Sequence, residues 1–152
     1  MTTYQKSYHS EFSTKQLFDL VADIEKYPEF LPWCSAARIL SRSDNILVAE
    51  LVIYFAPLSQ KYTSRVSLFP PENSDMDDCS IEVDLVEGPF EYLRNRWKFS
   101  SEESNKAKTI VDFTLDFKFN SMVMQKLMGS MFEQAFKKML DAFQDRAAKI
   151  YY

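Results

Sequence analysis

The chain has 152 residues, a net charge of −4, an apolar fraction of 46% and a charged fraction of 26%. That is about one domain on the usual ~150-residue scale, and the balance excludes a disordered tail. The longest uncharged apolar run, Leu51 to Leu58, falls far short of the ~20 residues a spanning helix needs.

Thr3 to Ser10 alternates Tyr4, Lys6 and Tyr8 against Gln5 and Ser7, a strand pattern. Ser13 with Gln16 three residues on predicts a capping box. The helix behind it carries Leu17, Phe18, Leu20, Val21 and Ile24 as an apolar stripe and ends near Asp23. Pro28 and Pro32 then bracket a second, very short helix. Period-two runs follow over Ala36–Arg42, Ile46–Phe55, Lys61–Phe69, Cys79–Glu87, Phe90–Ser100 and Thr109–Phe119. Their breaks are Ser43-Asp44-Asn45, Ala56-Pro57, Pro70 to Asp78, Gly88-Pro89 and Ser101 to Lys108. No helical stripe long enough for a crossover interrupts them, so the sheet is a predicted antiparallel meander. Asn120 is the expected N-cap of a final helix of about 29 residues, free of proline from Ser121 onward. The element order predicts a single α+β domain over residues 1–152. A curved antiparallel sheet of about seven strands surrounds a long C-terminal helix, with two short helices after the first strand.

Few residues carry chemistry. Two glycines, Gly88 and Gly129, cannot form a phosphate-cradling loop. His9 stands alone and there is no CxxC, which leaves no histidine-rich zinc site and no catalytic residue to assign. Met1 to Phe12 lacks the apolar core of an export signal, so a cytoplasmic location and free thiols at Cys34 and Cys79 are expected. The aromatic share of 15%, with seven methionines besides, exceeds what a small core requires. It means either a bulky core or a deformable apolar cavity.

Three blocks resemble a known family: Val21-Ala22-Asp23-Ile24-Glu25-Lys26-Tyr27-Pro28-Glu29-Phe30-Leu31-Pro32-Trp33-Cys34, then Val86-Glu87-Gly88-Pro89-Phe90-Glu91-Tyr92-Leu93 with Trp97-Lys98-Phe99, then Leu115-Asp116-Phe117-Lys118-Phe119. The family is the coenzyme Q-binding group of START-like proteins, whose bacterial members are also known as ribosome-association toxins. The resemblance implies a helix-grip fold with an elongated apolar tunnel between helix and sheet. It further implies a non-catalytic protein that requires no cofactor and shelters coenzyme Q (ubiquinone) or a similar isoprenoid quinone, with peripheral contact at the inner membrane face as a further option. Two alternatives stand beside it: a factor that binds the large ribosomal subunit and blocks subunit joining, and a polyketide cyclase or dehydratase. For the last, only carboxylates such as Glu50 and tyrosines such as Tyr54 or Tyr62 are available as acids or bases.

Alternation puts Leu51 and Ile53, then Leu93, Trp97 and Phe99, then Phe113, Leu115 and Phe117 on inward sheet positions, opposed by Val123, Leu127, Met131 and Phe132 of the last helix. These are the expected ligand-lining residues. Phe30, Leu31 and Trp33, held between prolines, are expected to form a lid that cannot reach deep into the core. Arg94, Arg96 and Lys98 should stand in an outer row able to meet lipid headgroups or ribosomal RNA, while the net negative charge argues against DNA.

Overall fold

A computed structural model describes residues 2–55 and 58–151. The predicted break at Ala56-Pro57 lies outside them. Strand β1 (Thr2–Ser10) leads into helix α1 (Thr14–Ala22) and a 3-10 helix (Ile24–Glu29). Then come β2 (Cys34–Ser43), β3 (Ile46–Phe55), β4 (Leu58–Phe69), β5 (Cys79–Glu87), β6 (Phe90–Ser101), β7 (Thr109–Phe119) and helix α2 (Met122–Tyr151). The predicted order is observed throughout.

All strands join one antiparallel sheet in the order β1-β7-β6-β5-β4-β3-β2. The meander runs from β2 to β7, and β1 adds to its far edge. The connection from β1 to β2 must therefore traverse the whole sheet, and α1 with the 3-10 helix makes that crossing. Register shifts in β2, at Thr63/Ser64 of β4 and at Phe90/Tyr92 of β6 insert the extra residues that bend strands. The sheet curves, and its concave face receives α2.

Local chemistry explains the boundaries. Ser13 Oγ accepts from Gln16 N at 3.2 Å while Gln16 Oε1 accepts from Ser13 N at 3.0 Å, the expected capping box. Thr14 Oγ1 donates to the carbonyls of Asp75 and Asp77, tying α1 to the β4–β5 loop. The N-cap of α2 is Ser121, one residue beyond the expected Asn120: Ser121 Oγ accepts from Met124 N, while Asn120 N donates to Pro89 O.

Alternation on β7 is strict, with Val111, Phe113, Leu115, Phe117 and Phe119 buried. They meet a stripe on α2 made by Met128, Phe132, Ala135, Phe136, Met139, Leu140, Phe143 and Ala147. Three helix positions expected to oppose the sheet do not: Val123 is 65% exposed, Leu127 54% and Met131 36%. The helix carries two adjacent apolar stripes, and it turns the one centred on Phe132 inward.

Candidate functional site

The sheet and α2 enclose a cavity of about 40 Å³, room for roughly one water molecule. Its walls include Trp33, Leu51, Leu93, Trp97 and Leu115, all expected from the sequence. Val21, Ile24 and Tyr27 close one end, and Phe136, Met139 and Phe143 of α2 form the roof. Ala49, Tyr62, Ser64 and Val66 of β3 and β4 complete the floor with Ile81, Val83 and Asn95. The signal for the missed floor residues was plain period-two alternation on β4, where Tyr62, Ser64 and Val66 share the buried face.

The elongated tunnel implied by the resemblance is not present as such. Aromatic rings fill the end of the interior where it would run: Phe90 stacks on Phe119 at 4.7 Å, Phe117 meets Phe132 at 4.6 Å, and Phe132 meets Phe136 at 4.7 Å. Ile53, Phe99, Phe113, Phe117 and Phe132 are thus fully buried packing residues outside the cavity wall.

A second space lies outside the first. It is a mostly apolar groove of about 470 Å³ between the segment Leu31-Pro32-Trp33, Tyr54 and Phe55 on one side and Met131, Ala135, Met139 and Ala142 on the other, with Gln134 and Lys138 of α2 as its polar lining. Trp33 and Met139 line both spaces and form the partition between them. The expectation that Phe30, Leu31 and Trp33 stay shallow is overturned for two of them: Leu31 is 1% exposed and Trp33 7%. The chain leaves the 3-10 helix at Phe30 and turns inward, with Leu31 N donating to Tyr27 O at 2.9 Å, so Trp33 reaches Phe136 at 5.4 Å. Phe30 stays half-buried against Tyr27 and Phe143, under the Arg146 guanidinium.

No charged side chain lines the inner cavity among the described residues. Its polar groups fall into two sets. Asn95 and Trp97 are occupied with each other: Trp97 Nε1 donates to Asn95 Oδ1 at 3.0 Å, and Asn95 Nδ2 donates to Thr114 O at 3.0 Å. Tyr27 Oη donates to Val21 O. Tyr62 and Ser64, both on the cavity floor, are 4% and 1% exposed. Burial pushes the phenols of Tyr27 and Tyr62 far above their ordinary range, so both keep their protons. It also pushes the Cys34 thiol up to about 11, too high for a reactive thiolate.

Glu50 and Tyr54 do not converge with Tyr62. Glu50 faces outward, paired with Arg38 at 2.9 Å and Lys61 at 3.9 Å, and Tyr54 is 46% exposed. The outer row Arg94, Arg96 and Lys98 is real, but acidic residues flank it. Arg96 pairs with Glu82 at 3.2 Å and Asp84 at 3.0 Å, and the register sets Arg94 beside Asp84 and Asp116 and Lys98 beside Asp112. The charged depression of about 890 Å³ next to this row mixes Glu72, Asp77 and Asp78 with Lys98 and Lys106. Among the described residues no group of three His, Cys, Asp or Glu is placed to hold a metal ion, and no helix is long and apolar enough to cross a membrane.

A curved antiparallel sheet gripping a C-terminal helix over an apolar interior defines the helix-grip, START-like class. Residues 10–144 match the profile described as polyketide cyclase / dehydrase and lipid transport, and the chain belongs to that family. It is 41% identical over 152 residues to the ribosome association toxin RatA of Rickettsia prowazekii, with 99% of each chain covered. It is 32% identical over 149 residues to the mitochondrial coenzyme Q-binding protein COQ10 homolog B of Xenopus laevis, covering 97% of this chain and 59% of that one. The Zhui aromatase/cyclase from Streptomyces sp. R1128 superposes with a TM-score of 0.81 at 16% identity, over 99% and 96% of the two chains, a likeness of fold alone.

Proposed function

We propose that this protein binds an apolar small molecule, in the outer groove and through the Trp33–Met139 partition, without transforming it. The carrying observation is the pairing of a groove of about 470 Å³ with an uncharged inner cavity behind the side chains of Trp33 and Met139. The groove has the volume of small-molecule sites, roughly 300–1,000 Å³, whereas the inner cavity must widen to admit more than one small group. Methionine has three rotatable bonds and a soft sulfur, so Met139 can yield at low cost. Coenzyme Q or a similar isoprenoid quinone is the ligand this reading favours. Its long tail suits the groove, and the named similarity to a coenzyme Q-binding protein supports it. Among the described residues Glu50 and Tyr54 do not converge on Tyr62 as an acid–base set, which favours binding over catalysis.

A second reading, ribosome binding, draws on the 41% identity to RatA over the whole chain. The outer basic row speaks against a strong phosphate contact there, because Arg96 is already held by two carboxylates. The two are separated by two measurements on the same preparation. Lipid released into organic solvent from purified protein, identified by mass spectrometry, is expected to include a quinone or related isoprenoid. Protein that carries no lipid, takes up no added quinone at micromolar concentration and cosediments with ribosomes at physiological salt would replace the first reading by the second.

A further inference from the structure

We infer that the N-terminal half of α2 docks this protein onto an anionic lipid surface, with its outward apolar stripe sunk among the lipids and the mouth of the outer groove opening there. Passage of a guest between bilayer and groove rests on the ligand-binding reading above, whereas the docking itself does not.

Met122 and Val123, 79% and 65% exposed, are the two most exposed large apolar side chains among the described residues. Leu127 and Met131 continue the stripe at four-residue spacing, so it runs about 12 Å along the helix from Val123. Apolar side chains gain from any surface that takes them out of water, and a contiguous exposed set marks a contact site. The core makes no use of this one, because Phe132 and Phe136 on the other side of the helix already fill the concave sheet. Met131 is both the end of the stripe and a wall of the groove, so the two form one continuous apolar path. Tyr54, on the opposite bank, presents an exposed ring with a polar tip, a group suited to the level of lipid headgroups.

Charge decides what covers the stripe. Met122 to Lys138 carries Lys126, Lys137 and Lys138 against Glu133 alone, a net charge of +2 within a chain of −4. Glu133 is paired with Lys137 at 3.5 Å, which leaves Lys126 and Lys138 as exposed cations beside the apolar groups. Lys138 is also the one charged residue lining the groove among the described residues. An apolar helical face flanked by lysines is the pattern of a helix lying in a membrane interface. A second copy seated on the same stripe in a two-fold pair would set one excess of lysine against the other. Nucleic acid would pair the lysines and leave Met122, Val123 and Leu127 in water. Anionic headgroups over hydrocarbon satisfy both.

The experiment is sedimentation of the full chain with vesicles of phosphatidylcholine, alone or with about three parts in ten of phosphatidylglycerol, at about 0.1 M salt. Wild-type protein is expected to bind the anionic vesicles about tenfold or more tightly than the neutral ones, since each lysine at such a surface contributes about fivefold. Val123→Glu and Leu127→Glu place a carboxylate in the stripe at exposed positions that the fold tolerates. Each is expected to weaken binding about tenfold or more. Lys126→Gln combined with Lys138→Gln is expected to remove most of the preference for anionic vesicles. Wild-type protein that stays in the supernatant with both vesicles overturns the docking, as do stripe variants that bind like wild type with native circular dichroism. Binding lost instead in Arg94→Gln combined with Lys98→Gln places the contact on the outer face of the sheet and overturns it too. A dimer broken by Leu127→Glu, without vesicle binding, assigns the stripe to a second copy. Uptake of the apolar dye N-phenyl-1-naphthylamine by wild-type protein without vesicles, read by its fluorescence, tests the groove separately. Docking without dye uptake keeps the surface and removes the guest, and dye uptake without docking does the reverse.

Discussion

Gly88 has no room for a side chain. Its φ of +156° is one that L residues rarely adopt, and the space where a Cβ would go is already taken by Tyr62. Gly88→Ala must either bend the β5–β6 hairpin or displace Tyr62 from the cavity floor. It is expected to cost at least ~1 kcal/mol in urea unfolding, more than a surface glycine change, and to lower affinity for a quinone probe as well. A variant as stable as wild type would show that the hairpin yields without strain. The turn at Gly88-Pro89 was legible in the sequence because glycine and proline mark turns wherever they stand. Its service to Tyr62 was not, because those residues are 26 positions apart and meet only through the β4–β5–β6 pairing.

At the scale of the element, α2 shows why a broad apolar helix resists reading. Val123, Leu127 and Met131 recur at four-residue spacing as regularly as Met128, Phe132 and Phe136 do. Periodicity identifies both stripes and cannot choose between them. The choice belongs to the concave sheet, whose Phe90, Phe117 and Phe119 offer a ring-lined socket that Phe132 fills. Phe132→Ala is expected to cost about 3–5 kcal/mol by leaving that socket empty. Leu127→Ala, on the exposed stripe, should stay within about 0.5 kcal/mol. Chemical denaturation of the two variants side by side checks the assignment, and comparable losses would mean that the helix is rotated from the orientation described here.

For the molecule as a whole, the crossing segment is fastened near both of its ends to the C-terminal end of α2. Arg146 Nη2 donates to Glu29 Oε1 at 2.9 Å and lies over Phe30, and Tyr151 Oη donates to Gln16 O at 2.8 Å. The hydrogen bond from Arg146, with help from Lys26, holds the Glu29 carboxyl below its usual range. A depressed carboxyl stabilises the fold above its unfolded-state pKa, and that contribution is lost as pH falls through the folded-state value. Wild-type protein should therefore melt slightly above Glu29→Gln at neutral pH, with the gap closing on acidification through the carboxylate range. The pair is exposed, so the gap is small. Calorimetric melts across that pH series measure it, and a gap that persists in acid would locate the contribution of Glu29 in packing rather than charge.

Element order, strand alternation and the capping box at Ser13 follow from local chemistry: propensity, period and turn residues act over a few positions, and those positions are adjacent in the chain. The same local rules identified Leu51, Leu93, Trp97 and Leu115 as inward residues, and they line the cavity, whereas Trp33, expected to stay shallow, joins them only through the inward turn after Phe30. What they could not settle is how much space is left once every inward group is in place. That depends on the bend of the sheet, the rotation of α2 and the inward turn after Phe30, each fixed by contacts between residues far apart in sequence. Tertiary packing closed the expected tunnel with aromatic rings, divided the remainder at Trp33 and Met139, and set Tyr62 and Ser64 in the floor of the smaller half.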